Sequence, residues 1–274
     1  AFHMDNRDGI YFMTSRRAAS VAAIQNAEDI EEILKIAYTG TMSNLLKTRL
    51  GIDMKAEWEE CNVAMPRDIS KVMGMLEPYL GEIFEQASSE KQAYLKYIDM
   101  LNISKEKMTV VDVGYSGTIQ YFLSKMLNKK IDGCYMIMSS NRKPEKIGCE
   151  CRNIFSLDEF TVNTLFLEAV LKAPYGQLER FNECNEAVCK DDNQVEPWIQ
   201  NMQSGIVDFL PNCWKIMGKY IPDFELNRDF AMCILENAFS ERWFTITNVA
   251  TFTVQDDYCA MVKCHITVIQ KAGI

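Results

Sequence analysis

Val110-Val111-Asp112-Val113-Gly114-Tyr115-Ser116-Gly117-Thr118-Ile119-Gln120 changes abruptly from apolar, β-branched residues to small and hydroxylic ones. The apolar residues from Met108 to Val113 suit a strand covered on both faces. After Thr118, the positions of Ile119, Phe122, Leu123, Met126 and Leu127 recur with helical spacing. Gly114 and Gly117 therefore fall in a strand-to-helix turn. Glycine permits positive φ and a close backbone approach, while Ser116 and Thr118 can cap the helix or donate to an anion at its positive end. A capped turn with nothing bound would read the same way, so the functional reading depends on what surrounds the turn.

Upstream, Gly9 precedes Ile10-Tyr11-Phe12-Met13-Thr14, a β-favouring run that reads as a buried first strand ending at Ser15-Arg16-Arg17. The alanine-rich stretch from Ala18 to Ala27 predicts a helix. Glu28 to Ala37 predicts another, with Ile30, Ile33, Leu34 and Ala37 on one face. Met42 to Leu50 predicts a third helix, stopped at Gly51, and Asp68 to Leu101 reads as helix broken near Pro78 and Gly81. Downstream, Gly133 to Ser140 predicts a further buried strand, so the strand-helix-strand order implies a right-handed parallel crossover. Phe160 to Lys172 reads as an amphipathic helix stopped by Ala173-Pro174-Tyr175-Gly176. Gln177 to Phe181 and Glu186 to Lys190 could form a hairpin. Pro197 to Met217 and Arg228 to Phe239 predict helices, and Phe244 to Thr253 and Met261 to Ile269 have β-type composition.

These elements predict an α/β protein with a mostly parallel, Rossmann-like sheet, large helical insertions and a mainly helical C-terminal lobe. The expected division is an α/β core over residues 1–180, with a helical insertion at about 28–101, and a lobe over 181–274. In open α/β sheets, ligands sit beyond the carboxyl ends of strands where the chain order switches. Ser15-Arg16-Arg17 and Asp112 to Thr118 both follow predicted strands, so both could lie at that edge.

The 274 residues are enough to bury a large core, and 48% hydrophobic against 24% charged residues argues against wholesale disorder. A formal net charge of -9 argues against nonspecific binding to nucleic acid, which depends on clustered Lys and Arg. There is no run of 18 apolar residues, and Ala1 to Asp5 has no charged-then-apolar secretion signal, so the expectation is a cytoplasmic protein that does not span a membrane. The ten cysteines are scattered. Cys149-Glu150-Cys151 is spaced too closely for a zinc knuckle, and His3 and His265 are the only histidines. That composition argues against a structural metal site and against a Ser-His-Asp arrangement.

The residues proposed for binding are Ser15, Arg16, Arg17, Gly114, Ser116, Gly117, Thr118 and Gln120, with Asp112 as the catalytic candidate. Two arginines and a glycine-rich helix start make a plausible anion clamp, because guanidinium groups pair bidentately with phosphate. Asp112 would act as a base or hold Mg²⁺, and Glu168 would be a second carboxylate. On this reading Gly117→Asp abolishes binding of a phosphorylated ligand and leaves the chain folded.

Several of these segments occur together in a recognisable order. They are Ser15-Arg16-Arg17-Ala18, Tyr94-Leu95-Lys96-Tyr97, Val111 to Gln120, Leu167-Glu168-Ala169 with Ala173-Pro174-Tyr175-Gly176, and Gln203-Ser204-Gly205-Ile206. The chain resembles the region that follows the haloacid-dehalogenase-like domain in large bacterial proteins of surface polysaccharide and lipopolysaccharide biosynthesis, which are often fused to glycosyltransferases. The resemblance covers roughly Gly9 to Phe209, and its most specific element is Asp-x-Gly-aromatic-Ser-Gly-Thr-x-Gln. The Asp-x-Asp signature of haloacid-dehalogenase phosphatases is absent, so that hydrolase chemistry would belong to a neighbouring domain.

Two functions follow from the resemblance and the residues. One is a transferase or hydrolase domain that binds, and processes, a phosphorylated sugar or nucleotide-sugar, through positioning and charge stabilisation. The other is a noncatalytic module that docks or orients a glycosyltransferase and its glycan intermediate.

Overall fold

The computed structural model describes residues 10–52, 58, 60–103, 108–160, 164–173, 175–190, 197–219, 227–238, 251–255 and 263–267. The N-terminal half is mostly helical: α1 (Arg16–Ala22), α2 (Ala27–Leu34), α3 (Met42–Leu50), α4 (Ile69–Leu76) and α5 (Leu80–Met100). An antiparallel pair, β1 (Tyr38–Thr41) and β2 (Asn62–Met65), lies among them. The small residues Ala18, Ala19 and Ala22 on α1 and Ala23 at its C-cap are all buried, which lets α3, α5 and α6 (Thr118–Leu127) pack close around it. Ile30, Ile33 and Leu34 on α2 are fully buried, each contributing about 1.5–3 kcal/mol of hydrophobic stabilisation.

Helix termini are satisfied by identifiable side chains. The Asn26 side chain accepts from Asp29 N at 3.0 Å and starts α2. At the other end, the fully buried Arg49 guanidinium donates to Ile33 O (3.1 Å), Ile36 O (2.7 Å) and Ala37 O (2.7 Å), taking up carbonyls that the helix itself leaves open. Gly51, at φ +70°, closes α3 in the left-handed conformation.

The sheet consists of β3 (Thr109–Asp112), β4 (Asp132–Met138) and β5 (Cys151–Ser156), all parallel in the order β3-β4-β5. The fold is therefore mixed α/β with a three-stranded parallel sheet. The register pairs Asp112 with Tyr135 and Tyr135 with Asn153, which puts these three on one face. α6 meets that face, because Gln120 bonds both Tyr135 and Cys151. The strands run in consecutive order, so there is no reversal point within the described sheet.

Downstream lie α7 (Leu165–Val170), the antiparallel pair β6 (Leu178–Phe181) and β7 (Ala187–Cys189), α8 (Pro197–Met217), α9 (Arg228–Ala238), and the antiparallel pair β8 (Thr251–Gln255) and β9 (Lys263–Thr267). The expected helices at 42–50, 119–127, 197–217 and 228–239 and the hairpin at 177–190 appear with small boundary changes. The expected helix over 160–172 is described only from Leu165 to Val170; residues 161–163 lie outside the described residues. The expected strand at 244–253 is described from Thr251 on, and residues 244–250 also lie outside.

Two expectations are corrected. Residues 10–14 form no strand. Their polar groups go to side chains of α5 instead: Met13 N donates to Tyr97 Oη (2.7 Å) and Tyr94 Oη donates to Thr14 Oγ1 (2.5 Å), while Phe12 packs on both tyrosine rings. β3 is not covered on both faces either, since Val111 is 84% exposed, and among the described residues the strand pairs only with β4. Hydrophobicity marked these segments as buried, but a strand also needs neighbours on its edges.

Candidate anion site at the end of the parallel sheet

β3 ends where Asp112 turns its own carboxylate onto the chain ahead. Asp112 Oδ1 accepts from Val113 N at 2.7 Å, and the carboxylate also accepts from Gly114 N. The loop's carbonyls then bond to β4 and the turn that follows it. Val113 O accepts from Ile137 N (2.9 Å), Tyr115 O from Ser139 N (2.9 Å) and Ser116 O from Lys143 N (3.1 Å). Gly114 is required by this close approach, because a Cβ there would sit 2.4 Å from Ile137 O.

Gly117, at φ +70°, is the N-cap of α6 and supplies no side-chain cap. Ser116 Oγ and Thr118 Oγ1 flank it, 3.0 Å from each other. The helix start thus carries two hydroxyls and the positive end of the macrodipole, an arrangement suited to an anion.

Arg16, at the start of α1, and Asp112, at the end of β3, act on each other electrostatically; both residues are half-buried. Burial raises the Asp112 carboxyl above its ordinary value, opposed by the two backbone hydrogen bonds and by Arg16. Tyr115 projects toward α7, with Thr164 beside its hydroxyl and Glu168 near enough to act on it. Burial, aided by Glu168 and Asp112, raises the phenol above its usual range. The turn thus holds Asp112, Gly114, Ser116, Gly117 and Thr118 together, with Arg16 acting on Asp112 and with Tyr115 and Thr164 beside them. Tyr115 was visible as the aromatic inside the motif. Thr164 carries no local signal in the sequence, and Glu168 is marked there only as a second carboxylate.

Three of the expected binding residues serve the fold instead. Arg17 is 6% exposed and grips Glu90 bidentately, Nη1 to Oε2 at 2.7 Å and Nη2 to Oε1 at 2.8 Å; it also donates to Glu179 O. Its guanidinium is committed to α5 and β6, away from the loop. Ser15 is the N-cap of α1, accepting from Ala18 N (2.9 Å) and donating to Leu178 O (2.6 Å). Gln120 is fully buried. Its Nε2 donates to Ile131 O (2.6 Å) and Glu150 O (3.0 Å), and its Oε1 accepts from Tyr135 Oη (2.7 Å). A buried amide with these partners has a structural role.

Gly117→Asp is likewise not a clean probe of binding. A Cβ at Gly117 would meet Pro144 Cγ at 2.7 Å and Tyr135 Oη at 3.0 Å, in a left-handed conformation that side chains rarely adopt. The variant would strain the fold as well as block the site. Lys143, next in the chain to Pro144, is buried, lies over the Tyr121 and Phe122 rings (4.9 Å to each centroid), and pairs with Glu32 at 3.2 Å. Among the described residues, no group of three or more His, Cys, Asp or Glu side chains is placed to hold a metal ion, and no helix is long and apolar enough to cross a membrane. Comparison of the sequence with protein-family models and with curated proteins finds no match.

Proposed function

We propose that this chain is a cytoplasmic domain of a bacterial surface polysaccharide or lipopolysaccharide biosynthesis protein, and that it binds a phosphorylated sugar or nucleotide-sugar at the end of β3. The observation carrying this reading is the uncapped start of α6, with the Ser116 and Thr118 hydroxyls on either side of Gly117 and Arg16 nearby beside Asp112. The parallel β3-α6-β4 unit is consistent with a Rossmann-like organisation, in which the phosphate rests on such a helix start. On this reading Ser116, Gly117 and Thr118 cradle the phosphate and Arg16 neutralises it. Asp112 acts as a base or, if the chemistry uses it, binds Mg²⁺ together with the substrate phosphate.

The alternative is a noncatalytic module that docks a glycosyltransferase and its glycan intermediate. It is favoured by the large apolar side chains that α8 exposes, among them Val207 (65% exposed), Phe209 (64%) and Ile216 (71%).

Thermal melting with a panel of nucleotide-sugars and sugar phosphates, with and without Mg²⁺, separates the two. Under the first reading, a bound compound at one hundred times its Kd raises the Tm by about 6 °C, since ligand binding to the native state alone adds about 2.7 kcal/mol. A shift that requires Mg²⁺ favours an enzyme. No shift across the panel, together with retained binding to a glycosyltransferase, favours the module.

A further inference from the structure

The Tyr115 hydroxyl is buried and, among the described residues, has no hydrogen-bond partner. Thr164 lies close enough to its hydroxyl to act on it, and the carboxylates of Asp112 and Glu168 act on it electrostatically. Buried polar groups in folded proteins are almost always paired, so an orphaned phenol next to a candidate ligand site calls for a partner.

The surrounding charge limits what that partner can be. A second anionic group would meet Asp112 and Glu168 and be repelled, which leaves the Arg16, Ser116 and Thr118 side for phosphate. A neutral polyol suits the Tyr115 side. Each sugar hydroxyl both donates and accepts, the two carboxylates accept, and the phenol and the Thr164 hydroxyl can do either. We infer that Tyr115, with Asp112, Thr164 and Glu168, forms a subsite for the hydroxyls of a sugar ring whose phosphate is held at the start of α6. This inference rests on the anion-site reading above and adds the part that would distinguish a sugar phosphate from phosphate alone.

Tyr115→Phe removes one oxygen that makes no hydrogen bond among the described residues. The variant should therefore melt at or above the temperature of the unaltered protein. Titration calorimetry with glucose, galactose and mannose 1-phosphates and with inorganic phosphate then reads the subsite. The unaltered protein should bind at least one hexose phosphate more tightly than inorganic phosphate. In the variant, that hexose phosphate should lose roughly tenfold in affinity, the worth of one hydrogen bond to a buried or charged partner, while inorganic phosphate changes by less than twofold. Equal binding of hexose phosphate and inorganic phosphate by the unaltered protein would overturn the sugar subsite and leave the anion site standing. So would an unchanged hexose phosphate affinity in the variant, or a parallel loss for both ligands. If neither ligand binds the unaltered protein, the anion-site reading itself falls, and the subsite falls with it.

Discussion

Arg17→Met should destabilise the protein by about 3–5 kcal/mol in urea unfolding, the usual cost of leaving one member of a buried ion pair alone. Glu90 is 7% exposed and takes its two shortest bonds from Arg17, so the substitution removes its cation and leaves the carboxylate the 3.1 Å bond from Gln86 Nε2. The double variant Arg17→Met/Glu90→Leu should recover most of that loss, because the charge that needed a partner is gone. Affinity for a phosphorylated ligand, measured on the folded fraction, should be unchanged in both. Retained stability with lost binding would show that Arg17 belongs to the site, as the sequence first suggested.

Gln120→Leu should cost about 3 kcal/mol or more by the same measurement. Leucine fits the space but removes every polar atom, leaving Ile131 O and the Tyr135 hydroxyl without the bonds Gln120 makes to them, while Glu150 O keeps its bond from Gly133 N. Each stranded buried group costs about 1–3 kcal/mol. The loss should appear as a lower midpoint at constant slope, since α6 packs on the sheet through other residues as well. Gln120→Glu should be nearly as damaging, because it turns a double donor into an acceptor that faces two carbonyls.

These two residues show where the sequence was readable. The strand-turn-helix from Val110 to Leu127 could be read because its signals are local: a β-branched run, glycines at a bend, then apolar residues at helical spacing. The hairpin of β6 and β7 was readable for a similarly local reason, from a polar turn at Asn182 to Asn185 between two short segments of mixed character. β1 and β2 were not, since Tyr38-Thr39-Gly40-Thr41 carries no alternating pattern and pairs with a segment beyond α3. β5 was hidden similarly, its Cys151-Arg152-Asn153 start reading as loop.

The site follows the same rule. Asp112, Gly114, Ser116, Gly117 and Thr118 lie within one turn, so their grouping follows from chain order. The choice between Arg16 and Arg17 does not. Neighbours on a helix point about 100° apart, and it took the position of Glu90, 73 residues away, to decide which arginine turned inward. Ser15 and Gln120 also resemble ligand-binding residues in sequence, because capping a helix and binding an anion use the same side-chain chemistry.

The most direct test of the anion site is an amide NMR titration of the unaltered protein with pyrophosphate, followed by the same titration of Arg16→Ala. The account predicts that the Gly117, Thr118 and Ile119 amides shift first and saturate together, and that Arg16→Ala weakens the binding about tenfold, as expected for loss of a charge-assisted contact. Saturating shifts confined to other parts of the chain, or no shift at the start of α6 up to millimolar pyrophosphate, would contradict it.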